Sequence, residues 1–209
     1  MAVDWYRKTT WLKEDEEEFF QKLKRAQKFN RPQYLIIQAV TLYRTNETKL
    51  LEVALALLKK YFDEYPDDKF ERSSAYTLVG DIYSIQKNYD LSLENYKNAM
   101  DFEKKYPSVE TEAYIHYSEL VIQLNKTNLF KDVKNILLKK SEETDFPVNK
   151  YTKNSILSII YKQENDLQKA EYHKKLAEEA AIAESSGFRW HKKLGLVKNR
   201  NKLLDKLMY

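Results

Sequence analysis

The stretch Ser74–Pro107, SAYTLVGDIYSIQKNYDLSLENYKNAMDFEKKYP, decides the fold. Tyr76, Val79, Ile82 and Tyr83 keep the spacing of one helix face, and Leu93, Tyr96, Ala99 and Met100 do the same after the polar break at Lys87-Asn88. The stretch therefore predicts helix, turn, helix, and then a stop at Pro107, because proline cannot sit inside a helix. Shifted by 41 residues it lies on the preceding interval: Ala39 falls on Gly80, Leu42 on Tyr83, Leu58 on Ala99, and Tyr65-Pro66 on Tyr106-Pro107. Shifted by 78 the other way it lies on the last interval, with Ser158 on Gly80, Tyr161 on Tyr83, Ala170 on Ser92 and Ala177 on Ala99. The third interval matches through its first helix, Ala113-Tyr114 on Ala75-Tyr76 and Ser118 on Gly80. A one-residue deletion then brings Val133 and Ile136 onto Tyr96 and Ala99.

The punctuation agrees with this register. The four prolines stand at Pro32, Pro66, Pro107 and Pro147, spaced by 34, 41 and 40 residues. Between them lie polar breaks at Asn46-Glu47-Thr48, Lys87-Asn88, Asn125-Lys126-Thr127 and Glu164-Asn165-Asp166. Ala39, Gly80, Ser118 and Ser158 form a column of small residues in the first helix of each unit, where the second helix must come close. Large residues stand three positions on, at Leu42, Tyr83, Val121 and Tyr161. A lone hairpin cannot bury its apolar face, so the units are expected to stack into one core, for which about three repeats suffice.

This pattern resembles the tetratricopeptide family. Its run of aromatic, leucine-glycine, tyrosine, alanine, aromatic, alanine and proline is matched here by Tyr76, Val79-Gly80, Tyr83, Ser92, Tyr96, Ala99 and a displaced Pro107. The fourth unit departs from it at Lys174, where an aromatic is the rule, and the first at Leu51, where a small residue is; the steps of 38 to 41 residues exceed the family's usual 34. The resemblance implies an all-α, right-handed α-solenoid of about four helical hairpins over 31–186, divided near 31–67, 68–107, 108–147 and 148–186. An N-terminal aromatic segment and capping helix would occupy 1–30 and a basic C-terminal capping helix 187–209. It also implies a concave face lined by the first helices, which holds a peptide or partner helix. Carried onto this chain, that face takes Ile36, Val40 and Tyr43 from the first unit and Thr77, Asp81 and Ser84 from the second. Ile115, Glu119 and Ile122 come from the third, and Ser155, Ile159 and Lys162 from the fourth. The set lacks the several Lys and Asn residues with which some relatives clamp a C-terminal carboxylate.

Composition fits a helical protein. Of 209 residues, 43% are hydrophobic and 33% charged, with 3 glycines and 4 prolines. The net charge of +4 arises from 36 basic and 32 acidic residues, so a nucleic-acid reading must rest on clustering. No cysteine is present, which excludes disulfides, thiolate metal sites and a cysteine nucleophile. The opening MAVDWYRKTTWLKEDEEE has no continuous apolar run, so no signal peptide is expected. No stretch is long and apolar enough to span a membrane. A cytoplasmic location is the default expectation.

At the N-terminal end a helix is predicted over 14–30, acidic at its start and basic at its end as the helix dipole favours, with Phe19, Phe20 and Leu23 on one side. Trp5, Tyr6 and Trp11 read as a plug on the first hairpin, or alternatively as a partner anchor. At the other end Gly187 reads as a helix stop and Trp190–Leu207 as a final helix, with Leu194, Val197, Leu204 and Leu207 facing the last hairpin. Arg189, Lys192, Lys193, Lys198, Arg200, Lys202 and Lys206 give that helix a basic outer face against the single acid Asp205.

No catalytic constellation, cofactor motif or metal site is legible. His116, His173 and His191 lie on separate elements without ligand spacing, and the glycines are isolated. The expected function is a non-enzymatic protein-protein interaction scaffold, needing no cofactor, with nucleic acid not the expected partner. Two alternatives stand beside it: a toxin-neutralising or regulatory partner that blocks an enzyme, and an RNA-associated protein acting through its basic C-terminal end.

Overall fold

Helices follow one another in pairs along the chain. The computed structural model describes residues 4–140 and 146–209, and among them lie ten α-helices and no strand. These are α1 (Lys13–Arg25), α2 (Arg31–Tyr43), α3 (Thr48–Glu64), α4 (Arg72–Ile85), α5 (Tyr89–Lys105), α6 (Ala113–Gln123), α7 (Phe130–Lys139), α8 (Pro147–Gln163), α9 (Leu167–Ala181) and α10 (Lys202–Met208). The fold is all-α, with α2 packed on α3, α4 on α5 and α8 on α9. The chain divides into two compact units, Met1–Ala113 and Tyr114–Tyr209, so the division falls between the second and third hairpins.

The hairpin turns share one backbone device. Asn46, Lys87, Asn125 and Asn165 all have positive φ, between 49° and 61°, at steps of 41, 38 and 40 residues. In the last three turns the residue after the left-handed one donates back to the end of the first helix: Asn88 N to Tyr83 O at 2.8 Å, Lys126 N to Val121 O at 3.1 Å, Asp166 N to Tyr161 O at 2.9 Å. That bond spans five residues and satisfies a helix-end carbonyl through a left-handed residue, which asparagine tolerates better than most. Prolines mark the other boundaries. Pro32 and Pro147 sit in the first turns of α2 and α8, where a missing N–H costs nothing. Pro66 and Pro107 follow Tyr65 and Tyr106, which hold nearly the same backbone angles.

Unit 1 is built from α1 to α5, with α4 contacting both α2 and α3. Its core runs from Phe19 and Leu23 of α1 through Leu35, Ala39, Leu42, Leu51, Leu58 and Tyr61 to Ala75 and Ile82. Gly80 meets Tyr96 at the α4–α5 crossing, and Ser92 Oγ donates to Gly80 O at 2.8 Å. The helix predicted over 14–30 ends at Arg25 and is followed by a short 3₁₀ turn at Lys28–Asn30. Asp15 starts it: its carboxylate accepts from Leu12 N, from Lys8 Nζ and from Thr10 Oγ1, which holds its pKa at about 2.

The N-terminal aromatics pack against this core. Trp5 stands 5.0 Å from the Tyr34 ring and 5.5 Å from Phe19, Tyr6 stacks on Tyr34 at 4.7 Å, and Trp11 meets Phe19 at 5.4 Å. Gln38, fully buried on α2, locks the segment in place. Lys8 N donates to its Oε1 at 2.9 Å, and its Nε2 donates to Lys8 O at 2.7 Å.

Unit 2 is organised around α8, which packs against α7, α9 and α10. Every residue from Tyr151 to Tyr161 is buried, including Thr152, Lys153, Asn154, Ser155 and Ser158. A helix covered on all sides must satisfy its polar groups internally. Lys153 Nζ donates to Lys140 O at 2.8 Å, Asn154 meets His173 Nδ1 at 2.8 Å, and Ser158 Oγ donates to Ala170 O at 2.8 Å. Tyr117 of α6 donates to Asp132 of α7 at 3.2 Å, and α10 closes the chain.

The C-terminal end departs from expectation. α9 stops at Ala181, before Gly187, and the helix predicted over Trp190–Leu207 is confined to Lys202–Met208. Two left-handed glycines, Gly187 at φ 83° and Gly195 at φ 66°, interrupt any helix between them. Val148 N donates to the Gly195 carbonyl at 2.8 Å, a Cβ on Gly195 would collide with the Phe146 ring, and Phe146 packs on Phe188 at 4.9 Å. Tertiary docking on the start of α8 thus replaces the helical ladder. Leu194, predicted to face the hairpin, is exposed, whereas Leu204 and Met208 are buried.

Candidate functional site

The face positions of unit 1 come from α2 and α4, which pack together as the first helices of consecutive hairpins. Their helical spacing sorts them by depth. Ile36 and Thr77 are buried; Val40, Tyr43, Asp81 and Ser84 are half-buried. Thr77 Oγ1 donates to Ser73 O at 2.9 Å and lies 2.9 Å from Thr111 Oγ1, so it is part of the packing. Tyr43 and Asp81 are brought together. Burial first, then the Asp81 charge, pushes the Tyr43 phenol above its usual range. Asp81 also accepts from the Tyr96 hydroxyl at 2.8 Å, and burial and this carboxylate together raise the Tyr96 phenol strongly. The Tyr96 proton is thus committed to Asp81, the Tyr43 phenol stays protonated, and the half-open rim of Val40, Tyr43, Asp81 and Ser84 combines apolar, hydroxyl and carboxylate chemistry.

Beneath the same unit lies a polar node that sequence reading missed. Glu103 is buried, and its Oε1 accepts from Ser73 Oγ at 2.6 Å, from Thr111 N at 2.9 Å and from Thr111 Oγ1 at 2.7 Å. Its position on the buried stripe of α5, four residues after Ala99, was the available signal. The node joins the start of α4 to the end of α5 and to Thr111 in the following loop, and reads as an internal brace of unit 1.

In unit 2, Ile115 and Ile122 of α6 are buried and Glu119 is half-buried. On α8, Ser155 and Ile159 are buried and Lys162 is exposed. The last residues of the chain reach two of these positions: Asn201 Nδ2 donates to Glu119 Oε1 at 3.2 Å, and Lys162 Nζ reaches Met208 O at 3.5 Å. Ser155 Oγ meets no hydrogen-bond partner among the described residues. Around α10, Arg200 donates to Glu178 at 2.7 and 2.5 Å and to Asp205 at 2.8 Å. The guanidinium holds the Glu178 carboxyl at about 2. Burial and the Asp205 carboxylate push the Tyr151 phenol to about 12.

The histidines lie apart. His173 is buried against Asn154 and stacks on Tyr161 at 5.4 Å, His116 is half-buried, and His191 is exposed. Among the described residues no group of three or more His, Asp or Glu side chains is placed to hold a metal ion. No described helix is long and apolar enough to cross a membrane.

Comparison of the chain with protein-family models, with curated proteins and with solved structures gives no match.

Proposed function

We propose that this chain is a non-enzymatic protein-binding module built from tetratricopeptide-like hairpins, which engages a peptide or partner protein through the first helices of those hairpins. The observation that carries this reading is the α2–α4 pair of unit 1, where Tyr43 and Asp81 stand together, half-open, beside Val40 and Ser84. Such a rim offers a partner backbone a carboxylate acceptor and a phenol donor over an apolar floor. Tyrosine contributes more than most residues at binding hot spots.

Asp81 is a poor probe, because Tyr96 depends on it. The test therefore uses Ser84→Arg and Tyr43→Ala in the full chain, with circular dichroism to verify folding. Affinity capture from the native host followed by mass spectrometry should recover one stoichiometric protein, and both changes should weaken its capture. Full retention by both folded variants overturns the assignment of this face.

A second reading is favoured by the segment between α9 and α10. Trp190 is 80% exposed there, beside exposed Arg189, Lys192, Lys193 and Lys198, and no acid intervenes between Glu184 and Asp205. Under that reading the chain contacts RNA, with a base stacking on Trp190. Binding that falls steeply between low and moderate salt and is lost in Trp190→Ala would replace the protein-partner reading.

A further inference from the structure

The α8 stripe that carries Ser155, Ile159 and Lys162 is covered by the chain's own last helix. α10 packs against α8, and its polar contacts fall at both ends of that stripe. At one end Asn201 N donates to Tyr151 Oη at 3.0 Å, while the Tyr151 hydroxyl donates to Asp205 Oδ1 at 2.9 Å. At the other Lys162 reaches the Met208 carbonyl. Positions 151, 155, 159 and 162 follow helical spacing and share one face, and Ser155 and Ile159 are buried between the two ends. Leu204 and Met208, four residues apart on α10, are 1% and 3% exposed and supply its apolar anchors.

Several observations mark α10 as a docked ligand more than a framework helix. It has seven residues, well short of the ~12–15 at which an isolated helix is even marginal in water, so docking holds it folded. The six residues 196–201, which follow the Gly195 carbonyl held by Val148 N, tether it to the start of α8 outside α9. Its outer clamps, Arg200 on Glu178 and the Tyr209 hydroxyl on Glu178 at 2.6 Å, lie at the surface. On the same helix face Ser155 Oγ is buried and unsatisfied among the described residues, which is costly in a buried site and leaves an acceptor or donor position for a better-fitting occupant.

We propose that this α8 face is a receptor for a short amphipathic helix of a partner protein, and that α10 occupies it in the free chain. The partner helix is specified by what α10 presents: a capping side chain at the place of Asn201, apolar residues four apart like Leu204 and Met208, and an acid at the place of Asp205 to accept from Tyr151. The inference rests on the protein-binding reading and assigns it a second, self-covered surface. Because α10 is tethered, it competes at an effective concentration of millimolar order, and a partner must displace it. Apparent affinity then scales with the fraction of molecules in which α10 is released.

The test uses the full chain and a fluorescein-labelled peptide of residues 199–209. Leu204→Asp with Met208→Asp should undock α10, and Arg200→Ala with Tyr209→Ala should loosen it while keeping both anchors. Fluorescence anisotropy should show 1:1 binding to the first variant at least about tenfold tighter than to the unaltered chain, with the second variant between them. Adding Tyr151→Phe to either should weaken the peptide. Should the first variant lose helicity by circular dichroism, the second alone decides. Equal binding to every form, or binding to none, overturns the proposal. Concentration-dependent dimers with α10 exchanged between copies, seen by light scattering, also overturn it by making a second copy the occupant. Ser84→Arg should leave peptide binding unchanged, so loss of the unit 1 assignment and loss of this one are read separately.

Discussion

Gly80 and Tyr96 are fitted to each other across the α4–α5 crossing: a methyl group at position 80 would stand 2.5 Å from Tyr96 Cε1 and 2.6 Å from its Cδ1. The ring cannot swing aside, since it is buried and its hydroxyl is tied to Asp81. The corresponding places elsewhere trade size between the two helices. Ala39 corresponds to Leu55, Ser118 to Val133, and Ser158 to Lys174, so the smallest residue stands where the partner column holds an aromatic ring. The hydroxyl bond across the crossing also changes sides. Ser92 of α5 donates to Gly80 of α4, whereas Ser158 of α8 donates to Ala170 of α9.

Gly80→Ala is accordingly expected to destabilise unit 1 by about 1–3 kcal/mol through overpacking, despite alanine's better helix propensity. Adding Tyr96→Leu should recover part of that loss. Chemical denaturation of the two single variants and the double variant measures the coupling, and strict additivity would mean the pair does not touch in this way.

Among the described hairpin turns, Lys87 is the one left-handed residue that is not asparagine. Lys87→Asn should raise stability by roughly 0.5–1 kcal/mol, since asparagine enters that region at lower cost than lysine. A thermal unfolding scan that gives no increase in Tm would contradict the turn assignment.

Gln38 ties the N-terminal aromatics to α2 through both polar groups of the Lys8 backbone. Gln38→Leu should cost about 1–3 kcal/mol, because the Lys8 N–H and C=O lose buried partners. Hydrogen exchange at Lys8 should quicken in the variant well before exchange in α3 does.

The Glu178 carboxyl titrates at about 2 in the folded chain, against an ordinary 4.5, because Arg200 donates to it. A depressed carboxyl stabilises the fold above its ordinary pKa and loses that contribution as pH falls toward the folded value. Docking of α10 should therefore weaken between about pH 4.5 and pH 2, with Tyr209 becoming more accessible as Arg200 and Tyr209 lose their common acceptor. Limited pepsin cleavage near Asn201, compared with that of the Glu178→Gln variant, follows this; the same acid response in that variant would assign the change elsewhere.

Several features were legible in residue order because their causes are local. The all-helical class follows from the 3.6-residue apolar period. The hairpin ends follow from proline's missing N–H, the turns from polar residues that tolerate or border a left-handed backbone, and the close crossings at Gly80 and Ser158 from their small side chains. The candidate face was only partly legible. Helical phase places Ile36, Ile115 and Ile122 beside the half-open positions, yet phase cannot say how deeply a neighbouring helix covers them, and the structure buries all three.

What tertiary structure alone decided lies mostly in unit 2. Thr152, Lys153, Asn154 and Ser155 are polar residues in succession, yet α7, α9 and α10 pack against their helix and all four are buried, and each of those neighbours is brought there by contacts formed elsewhere in the chain. The last helix begins at Lys202 because Gly195 docks on Phe146 and Val148, far earlier in the chain, and no local propensity encodes that cost or gain. The order of residues determined which segments coil and where they break, since those choices turn on neighbours within a few residues. Which faces stay open and which the chain covers itself, as α10 covers α8, depended on free energies of packing between segments distant in sequence.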